Sequence, residues 1–345
     1  MNARMVDFAG WDMPVLYTSI LDEARAVRTG TGLFDISHMG RIRLFGDGTT
    51  ALLQSLTSNN VEALSPSEAQ YSLLTNAEGG VIDDIIVYRE SEEAYLVVIN
   101  ASNAKKDIAW IRQHLPTSVS LEDWSDRTAM IAVQGLSAPV VMAKLADNPS
   151  LLELKRFQYT TSELFGVETT FCRTGYTGED GFEIILSADR AEEVWTRLVE
   201  AGGVACGLGA RDALRIEAGY PLYGHEIDDT TSPVEAALMW VVSLEKPAFT
   251  GHEAIRAVKA QGAKRRLVGL VLPDERMVPR QDFLIYFGDT VVGKVTSGVF
   301  SPTKSQSIAM GYVDVGFAKT GTTVSIEIRN KRVNAVVVPK KSLLS

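Results

Sequence analysis

The sequence predicts an α+β fold with largely antiparallel sheets, followed by a small all-β domain at the C-terminal end. Up to about residue 245, short β-rich runs bounded by Gly, Asn or Asp alternate with amphipathic helical stretches. After about Thr250, strand signals separated by turns replace this alternation. The chain has 345 residues, and at about 150 residues per domain this length implies more than one hydrophobic core.

The first part contains both strand and helix patterns. A helix is predicted over 189–201, where apolar residues form one stripe, Asp189 and Glu192 have capping-box spacing, and Gly202 follows the last turn. A second helix is predicted over 104–115, with Ile108, Ile111 and Leu115 on one face. Runs rich in β-branched residues predict strands at 84–88, 95–99 and 182–186.

The C-terminal part begins with one short helix, because Thr250 and Glu253 again have capping-box spacing. Strands are then predicted at 267–272, 283–287, 291–296, 308–313, 323–329 and 332–338. Pro247, Gly251 and Gly262 interrupt the pattern and mark a boundary. We therefore predict one region over residues 1–245 and a β domain over 246–345.

The composition excludes several classes of protein. With 34 basic and 43 acidic residues the net charge is −9, which disfavours nucleic acid and anionic membranes as partners. No apolar run approaches the roughly 18 residues of a membrane span, and the first residues do not form a signal segment. The two cysteines and four histidines are scattered and lack metal-ligand spacing. We expect a cytoplasmic protein without a metal or a disulfide scaffold.

Two adjacent carboxylates interrupt the apolar strand pattern around residues 79–88. Neighbours on a strand point to opposite faces, so Asp83 and Asp84 cannot both lie on one wet surface of a regular strand. A buried carboxylate needs donors or a cationic partner, or it becomes protonated, and either condition suits acid–base chemistry. We expect one of the two to face a specific group. The alternative is that the pair caps a turn and bonds to backbone.

A second polar segment runs over residues 174–184 and contains three glycines in eight positions. Glycine lets a ligand approach the backbone closely. On the following strand, Glu183 lies on the opposite face from Phe182 and Ile184. There its carboxylate could accept two parallel hydrogen bonds from an amino-amidine edge such as that of a pterin or a guanine. The alternative is a hairpin turn with a solvated glutamate.

A third segment, residues 207–219, begins with glycines and becomes helical. Arg211 and Arg215 are four residues apart and share a face, with Asp212 and Glu217 available as partners. The rigid donor fork of arginine suits recognition of a planar carboxylate, but a structural salt-bridge network is equally compatible with this pattern.

Other catalytic and nucleotide-binding patterns are missing from the sequence. It contains no GxSxG or GxxxxGK[ST] motif, and Asp212 interrupts a GxGxxG fingerprint. His38 is interpreted as a satisfied structural histidine, and neither Cys172 nor Cys206 has a nucleophile context. The residues alone thus indicate a site drawing on Asp84, Glu183 and Arg211, without naming a reaction.

The same segments resemble the aminomethyltransferase (T-protein) family of the glycine cleavage system. The family's motifs occur in order as RMVDFAGWDMP at 4–14, LFDISHMG at 33–40, GGVIDD at 79–84, GYTGEDG at 175–181, GARD at 209–212, LYG at 222–224 and VTSG at 295–298. The resemblance implies two interwoven α+β folate-binding domains and a C-terminal β-barrel-like domain.

The resemblance also implies an activity. In that family, lipoylated H-protein presents an aminomethyl group on the sulfur of its dihydrolipoyl arm, and tetrahydrofolate takes the one-carbon unit as ammonia is released, which gives methylenetetrahydrofolate. Matched motif by motif, Asp84 corresponds to the catalytic aspartate. The folate-binding positions correspond to Met39, Tyr71, Asn100, Tyr176, Glu183, Arg211 and Tyr220.

The resemblance gives these residues separate roles. Glu183 would hold the amino-amidine edge of the pterin and so orient the ring. Asp84 would stabilise the cationic one-carbon unit as ammonia leaves and manage a proton of the folate amine. Arg211 would hold a carboxylate in its charged form or contact the folate tail.

Relatives of the fold leave alternatives open. One is a folate-dependent demethylase acting on a small methylated compound, and another is a folate-binding protein without catalysis. Folate modules of sarcosine and dimethylglycine oxidases carry a flavin domain, for which 345 residues leave no room. A related iron–sulfur assembly factor carries a signature cysteine that the segment 175–178 lacks.

Overall fold

A computed structural model describes residues 2–272 and 277–344, and within these ranges the chain forms seven α-helices and nineteen β-strands. The helices are α1 (Ile20–Thr29), α2 (Thr49–Leu56), α3 (Ala104–Gln113), α4 (Ala138–Leu145), α5 (Ala191–Glu200), α6 (Leu208–Glu217) and α7 (His252–Gln261). The strands are β1 (Arg4–Phe8), β2 (Trp11–Leu16), β3 (Gly32–Asp35), β4 (Gly40–Phe45), β5 (Ala69–Thr75), β6 (Val81–Ser91), β7 (Ala94–Ile99), β8 (Ser120–Asp123), β9 (Thr128–Gln134), β10 (Tyr159–Leu164), β11 (Val167–Cys172), β12 (Gly181–Ser187), β13 (Val204–Ala205), β14 (Arg265–Leu272), β15 (Leu284–Phe287), β16 (Thr290–Ser301), β17 (Gln306–Asp314), β18 (Thr323–Ile328) and β19 (Lys331–Val338).

The first compact unit contains two large sheets and a small sheet of the two strands β1 and β2. It comprises Met1–Leu74, Asp83–Arg211 and Glu245–Phe249. One sheet has the order β10-β11-β12-β9-β3-β13 and the other the order β5-β6-β7-β4-β8. The chain therefore starts the first sheet with β3, builds the second sheet, and returns to complete the first, which is the interwoven arrangement that the resemblance implied. Most pairings are antiparallel, with β13 on β3 as a parallel pair, so the predicted fold class is confirmed.

The second unit is built around a closed barrel. It comprises Thr75–Ile82, Asp212–Leu244 and Thr250–Ser345. Six strands close in the order β14-β17-β16-β15-β18-β19, and alternate side chains of these strands fill the interior as a fully buried apolar core. The expected all-β C-terminal part is confirmed. The boundary between residues 245 and 246 stays a prediction.

Two predicted helix starts are wrong in detail. Helix α5 begins after Arg190. Asp189 lies in a short 3₁₀ turn over Ala188–Arg190, and its carboxylate accepts a hydrogen bond from Ser187 Oγ instead of capping α5. Helix α7 begins after Gly251, whose φ of 85° lies in the left-handed region, so glycine and not Thr250 occupies the N-cap position. The Arg190 side chain makes no capping bond to the described residues, and Gly251 has no side chain that could make one.

The other helix and strand predictions for the first part of the chain are confirmed. The predicted helix at 104–115 is α3, and the predicted strands at 84–88, 95–99 and 182–186 lie within β6, β7 and β12. In the described ranges, no helix is both long enough and apolar enough to span a bilayer.

Candidate functional site

The two adjacent aspartates lie inside strand β6 and not in a turn, although Asp83 accepts the backbone N–H of Asn100 at 3.0 Å. Strand β6 pairs with β7, and Asn100 follows directly after β7. The Asn100 side-chain Nδ2 donates to Asp83 Oδ1 at 2.9 Å and to Asp84 Oδ1 at 2.8 Å. One amide thus connects the two carboxyl groups, although they start from opposite faces of the strand.

Asp84 has a polar environment made by two side chains of the first unit. The Tyr71 hydroxyl, on β5, donates to Asp84 Oδ2 at 2.9 Å, while Asn100 donates to the other oxygen. Burial, followed by the nearby charge of Asp83, raises the pKa of Asp84 to about 7, and the bonds from Tyr71 and Asn100 act against this shift. A carboxyl group with this pKa exchanges its proton readily near neutral pH.

Glu183 lies in the middle of β12 and is 5% exposed, so the alternative of a solvated glutamate is wrong. Its Oε2 accepts a hydrogen bond of 2.6 Å from the Thr174 hydroxyl. Burial raises the pKa of Glu183, and the Thr174 bond and the positive charge of Arg211 act against this shift. Phe182 and Ile184 point the other way, into a core cluster of the first unit, as the strand alternation predicted.

Arg211 lies on α6 and stacks over an aromatic ring. Its guanidinium carbon is 4.7 Å from the centre of the Tyr176 ring, a cation–π geometry. Its Nη1 atom is buried and makes no hydrogen bond to the described residues. Burial lowers the pKa of Arg211, while the charge of Glu183 acts against this. A buried donor without an acceptor costs free energy, and an acceptor supplied by a ligand would recover it.

The helical neighbour Arg215 has a different environment, within the second unit. Its Nη1 donates to Glu226 at 2.7 Å and its Nε to Asp212 at 2.9 Å. Glu217, predicted as a partner of the arginines, instead accepts bonds from the hydroxyl groups of Ser301 and Thr303. The salt-bridge alternative therefore holds for Arg215 and not for Arg211.

The turn between β3 and β4 carries Met39 and His38. Met39 is half-buried, and its N–H donates to Ile36 O at 3.0 Å. His38 is buried, and its Nδ1 makes no hydrogen bond to the residues that the structure describes. We interpreted His38 as a structural histidine whose ring nitrogens are hydrogen-bonded. For Nδ1 this interpretation is wrong. Burial, with the charges of Arg211 and Arg41, lowers the pKa of His38 to about 3, so its ring is neutral.

The structure brings most of the predicted residues together in the first unit. Asp84, Tyr71 and Asn100 form one hydrogen-bonded group. In a second group, Arg211 stacks on the Tyr176 ring and its charge acts on the Glu183 carboxyl group. The two groups are close enough for Tyr176 to contribute to the raised pKa of Tyr71. Tyr220 belongs to the second unit, where its N–H donates to Arg215 O at 2.9 Å.

One polar residue near this group was missed by the sequence analysis. Asp107, on α3, is fully buried, and neither carboxyl oxygen receives a hydrogen bond from a described N–H or hydroxyl group. The available signal was its position four residues before Ile111, which places it on the buried face of the helix. No group of three or more His, Cys, Asp and Glu side chains in residues 2–272 and 277–344 is arranged to hold a metal ion.

These features define a class: a chain of interwoven, mostly antiparallel sheets with a closed C-terminal β-barrel. The sheets carry buried or half-buried carboxyl, tyrosine and arginine side chains. The family model described as the GCVT N-terminal domain matches residues 1–246. The model described as the glycine cleavage T-protein C-terminal barrel domain matches residues 265–342. The chain therefore belongs to the glycine cleavage T-protein family, and the resemblance found in the motifs is confirmed.

Named relatives agree with this assignment. The chain is 46% identical over 344 residues to an aminomethyltransferase of Chloroherpeton thalassium, covering 98% of this chain and 94% of that protein. It is 45% identical over 345 residues to an aminomethyltransferase of Synechococcus elongatus, covering 98% and 92%. The crystal structure of glycine cleavage system aminomethyltransferase T from Bartonella henselae matches with a TM-score of 0.92 at 34% identity, covering 99% of this chain and 94% of that chain.

Proposed function

We propose that the chain is the aminomethyltransferase of the glycine cleavage system, acting on the S-aminomethyl-dihydrolipoyl arm of H-protein with tetrahydrofolate as acceptor. Membership of the T-protein family makes the chain an aminomethyltransferase, and full-length relatives with that name support it. We propose in addition that the donor is H-protein and that the acceptor is tetrahydrofolate.

The environment of Asp84 is the observation that supports a catalytic role for this chain. In the transfer, the methylene carbon exchanges its bonds to sulfur and to the amine for bonds to two folate nitrogens. Two protons leave those nitrogens, one for the lipoyl sulfur and one for ammonia. A carboxyl group whose pKa is about 7 can take and return such protons at neutral pH. Tyr71 and Asn100 fix both oxygens of Asp84, which suits a positioned acid–base group.

Binding of the folate is proposed for the second group of side chains. Thr174 occupies one oxygen of Glu183, and carboxylate oxygens have further lone pairs that suit the amino-amidine edge of a pterin. Arg211 offers the buried Nη1 that lacks a partner among the described residues, together with a positive charge for an anionic ligand group. These atoms fit tetrahydrofolate better than an apolar ligand. The full set of proposed folate-binding residues is Met39, Tyr71, Asn100, Tyr176, Glu183, Arg211 and Tyr220.

The proposal is tested by mixing the purified chain with tetrahydrofolate and aminomethylated H-protein and following ammonia. We expect release that requires both components. Omission of either one, and H-protein without its lipoyl group, are the controls. Ammonia release that is indifferent to folate would contradict the proposal. Turnover only with a small methylated compound would favour the demethylase, and folate binding without turnover would favour a non-catalytic binding protein.

Three further statements remain proposals because they rest on the sequence pattern alone. They are the division into a folate-binding region over residues 1–245 and a β domain over 246–345, the cytoplasmic location, and the expectation that neither a metal, a nucleic acid nor a membrane is a partner. The net charge of −9 supports the last of these with respect to nucleic acid and anionic lipid.

A further inference from the structure

A third carboxyl group, that of Asp107, lies next to the pair formed by Asp83 and Asp84 on β6. Asp107, in the first turn of α3, lies within hydrogen-bond reach of the Asp83 carboxyl group. Both side chains are 0% exposed. Two charged carboxylates in contact without water would repel each other strongly, so one of the two must hold a proton.

The donors around the pair decide which one is protonated. Asp83 accepts three bonds, from the Asn100 backbone N–H at 3.0 Å, from Asn100 Nδ2 at 2.9 Å, and from Asn103 Nδ2 at 2.5 Å. Three N–H donors stabilise the charged form of a carboxyl group. Asp107 receives none from the described residues. The proton therefore belongs on Asp107, and its O–H has Asp83 as an acceptor.

Asn100 transmits this arrangement to Asp84. Its Nδ2 carries two hydrogens but has three acceptors, Asp83 Oδ1, Asp84 Oδ1 and Asp84 O at 3.1 Å. Asp83 and Asp84 thus compete for one amide. If another group also donates a hydrogen bond to Asp83, Asp83 competes less strongly for the Asn100 amide. The amide can then form a stronger hydrogen bond to Asp84.

We infer that Asp107 is a positioning residue that is held as a neutral acid and donates a hydrogen bond to Asp83, and that this bond keeps the Asn100 amide directed at Asp84. The inference rests on the proposed function only where it concerns catalysis. The protonation of Asp107 is a property of the folded chain.

The surrounding charges agree with this protonation. Burial, followed by the charge of Asp83, raises the pKa of Asp107 to about 10, and Asp84 adds to the shift. Lys106, the neighbouring residue on α3, acts in the opposite direction. Tyr71, on β5, donates its hydroxyl hydrogen to Asp84. A neutral Asp107 also keeps a third negative charge away from Asp84.

The catalytic test compares two substitutions. Asp107→Asn keeps a neutral donor of the same shape, so we expect wild-type kcat within about threefold and an unshifted pH profile. Asp107→Leu removes the donor, so we expect kcat to fall about tenfold or more, with KM for tetrahydrofolate within about twofold of wild type. Thermal unfolding of each variant checks that it is folded. Equal kcat for Asp107→Leu and wild type, or a pH profile displaced in Asp107→Asn, would overturn the inference.

A spectroscopic test does not depend on turnover. Infrared spectra of wild type and Asp107→Asn are compared at a pH of about 8.5, between the pKa of about 7 for Asp84 and that of about 10 for Asp107. We expect the substitution to remove the carbonyl band of one protonated carboxyl group. If no band is lost, Asp107 is charged and the inference is wrong, even if Asp107→Leu fails to fold. A wild type without ammonia release but with this band would refute the proposed function and leave the protonation of Asp107 established.

Discussion

Replacing Asp84 by Asn is the most informative single change, because it preserves shape and removes the titrating group. In the wild type, Tyr71 donates to one oxygen of Asp84 and Asn100 to the other. An Asn side chain offers only one acceptor oxygen, so one of the two donors loses its partner. That loss costs about 1–3 kcal/mol of folding free energy, which a folded domain can tolerate.

The expected kinetic effect is much larger than this structural cost. A positioned acid–base group contributes about 10²–10⁴-fold to the rate, so kcat of Asp84→Asn should fall by that factor. Binding of tetrahydrofolate should change little, since Glu183 and Arg211 are unaltered. The wild-type rate should rise with pH through a midpoint near the pKa of about 7, because the charged form accepts the proton. The variant should lack that midpoint.

The assay is ammonia release from aminomethylated H-protein at saturating tetrahydrofolate, over a range of pH values. Asp289→Asn, the same substitution at an exposed position between β15 and β16, is the matched control and should keep wild-type kcat. A direct folate titration shows whether the site persists. Turnover of Asp84→Asn within about threefold of wild type would remove Asp84 from the mechanism.

Three other outcomes follow from the same contacts. Tyr71→Phe removes a hydrogen bond that favours the charged form of Asp84, so the midpoint of the pH–rate profile should move upward, and a downward or absent shift would contradict this role of Tyr71. Glu183→Gln should raise the Kd for tetrahydrofolate about tenfold in a fluorescence titration, since charge-assisted hydrogen bonds are lost, and an unchanged Kd would argue against pterin binding there. Arg215→Met leaves the buried Glu226 without its charged partner and should lower the free energy of unfolding by about 3–5 kcal/mol in urea, whereas a loss below about 1 kcal/mol would show that the pair is dispensable.

The strands that carry the site were predictable from the sequence because their pattern is local. β6 and β12 are apolar runs with turn residues nearby, and the carboxylates of Asp84 and Glu183 interrupt those runs. Burial of an ionisable group inside a strand is unusual enough to mark the position without any knowledge of the fold.

The partners of these carboxylates were not predictable from pattern alone, because they come from other strands, helices and loops. Tyr71 and Asn100 entered only through the resemblance to a family, and Asp107 was missed altogether since a single acidic residue on a helix is normally solvated. The two arginines of α6 could not be distinguished by spacing, although Arg211 stacks on an aromatic ring and Arg215 forms ion pairs.

The capping boxes failed for a related reason. The spacing of Thr250 and Glu253 satisfies the local rule, but Gly251 adopts a left-handed conformation and starts the helix one residue later. A cap depends on the direction from which the chain enters the helix, which distant packing decides.

The most direct test of a folate site in the first unit is a crystal structure of the chain with bound tetrahydrofolate. We predict that Glu183 contacts the amino-amidine edge of the pterin, that Arg211 Nη1 lies within hydrogen-bond distance of the ligand, and that Asp84 faces the reactive nitrogens. Folate bound away from all three side chains would show that they do not form the folate site.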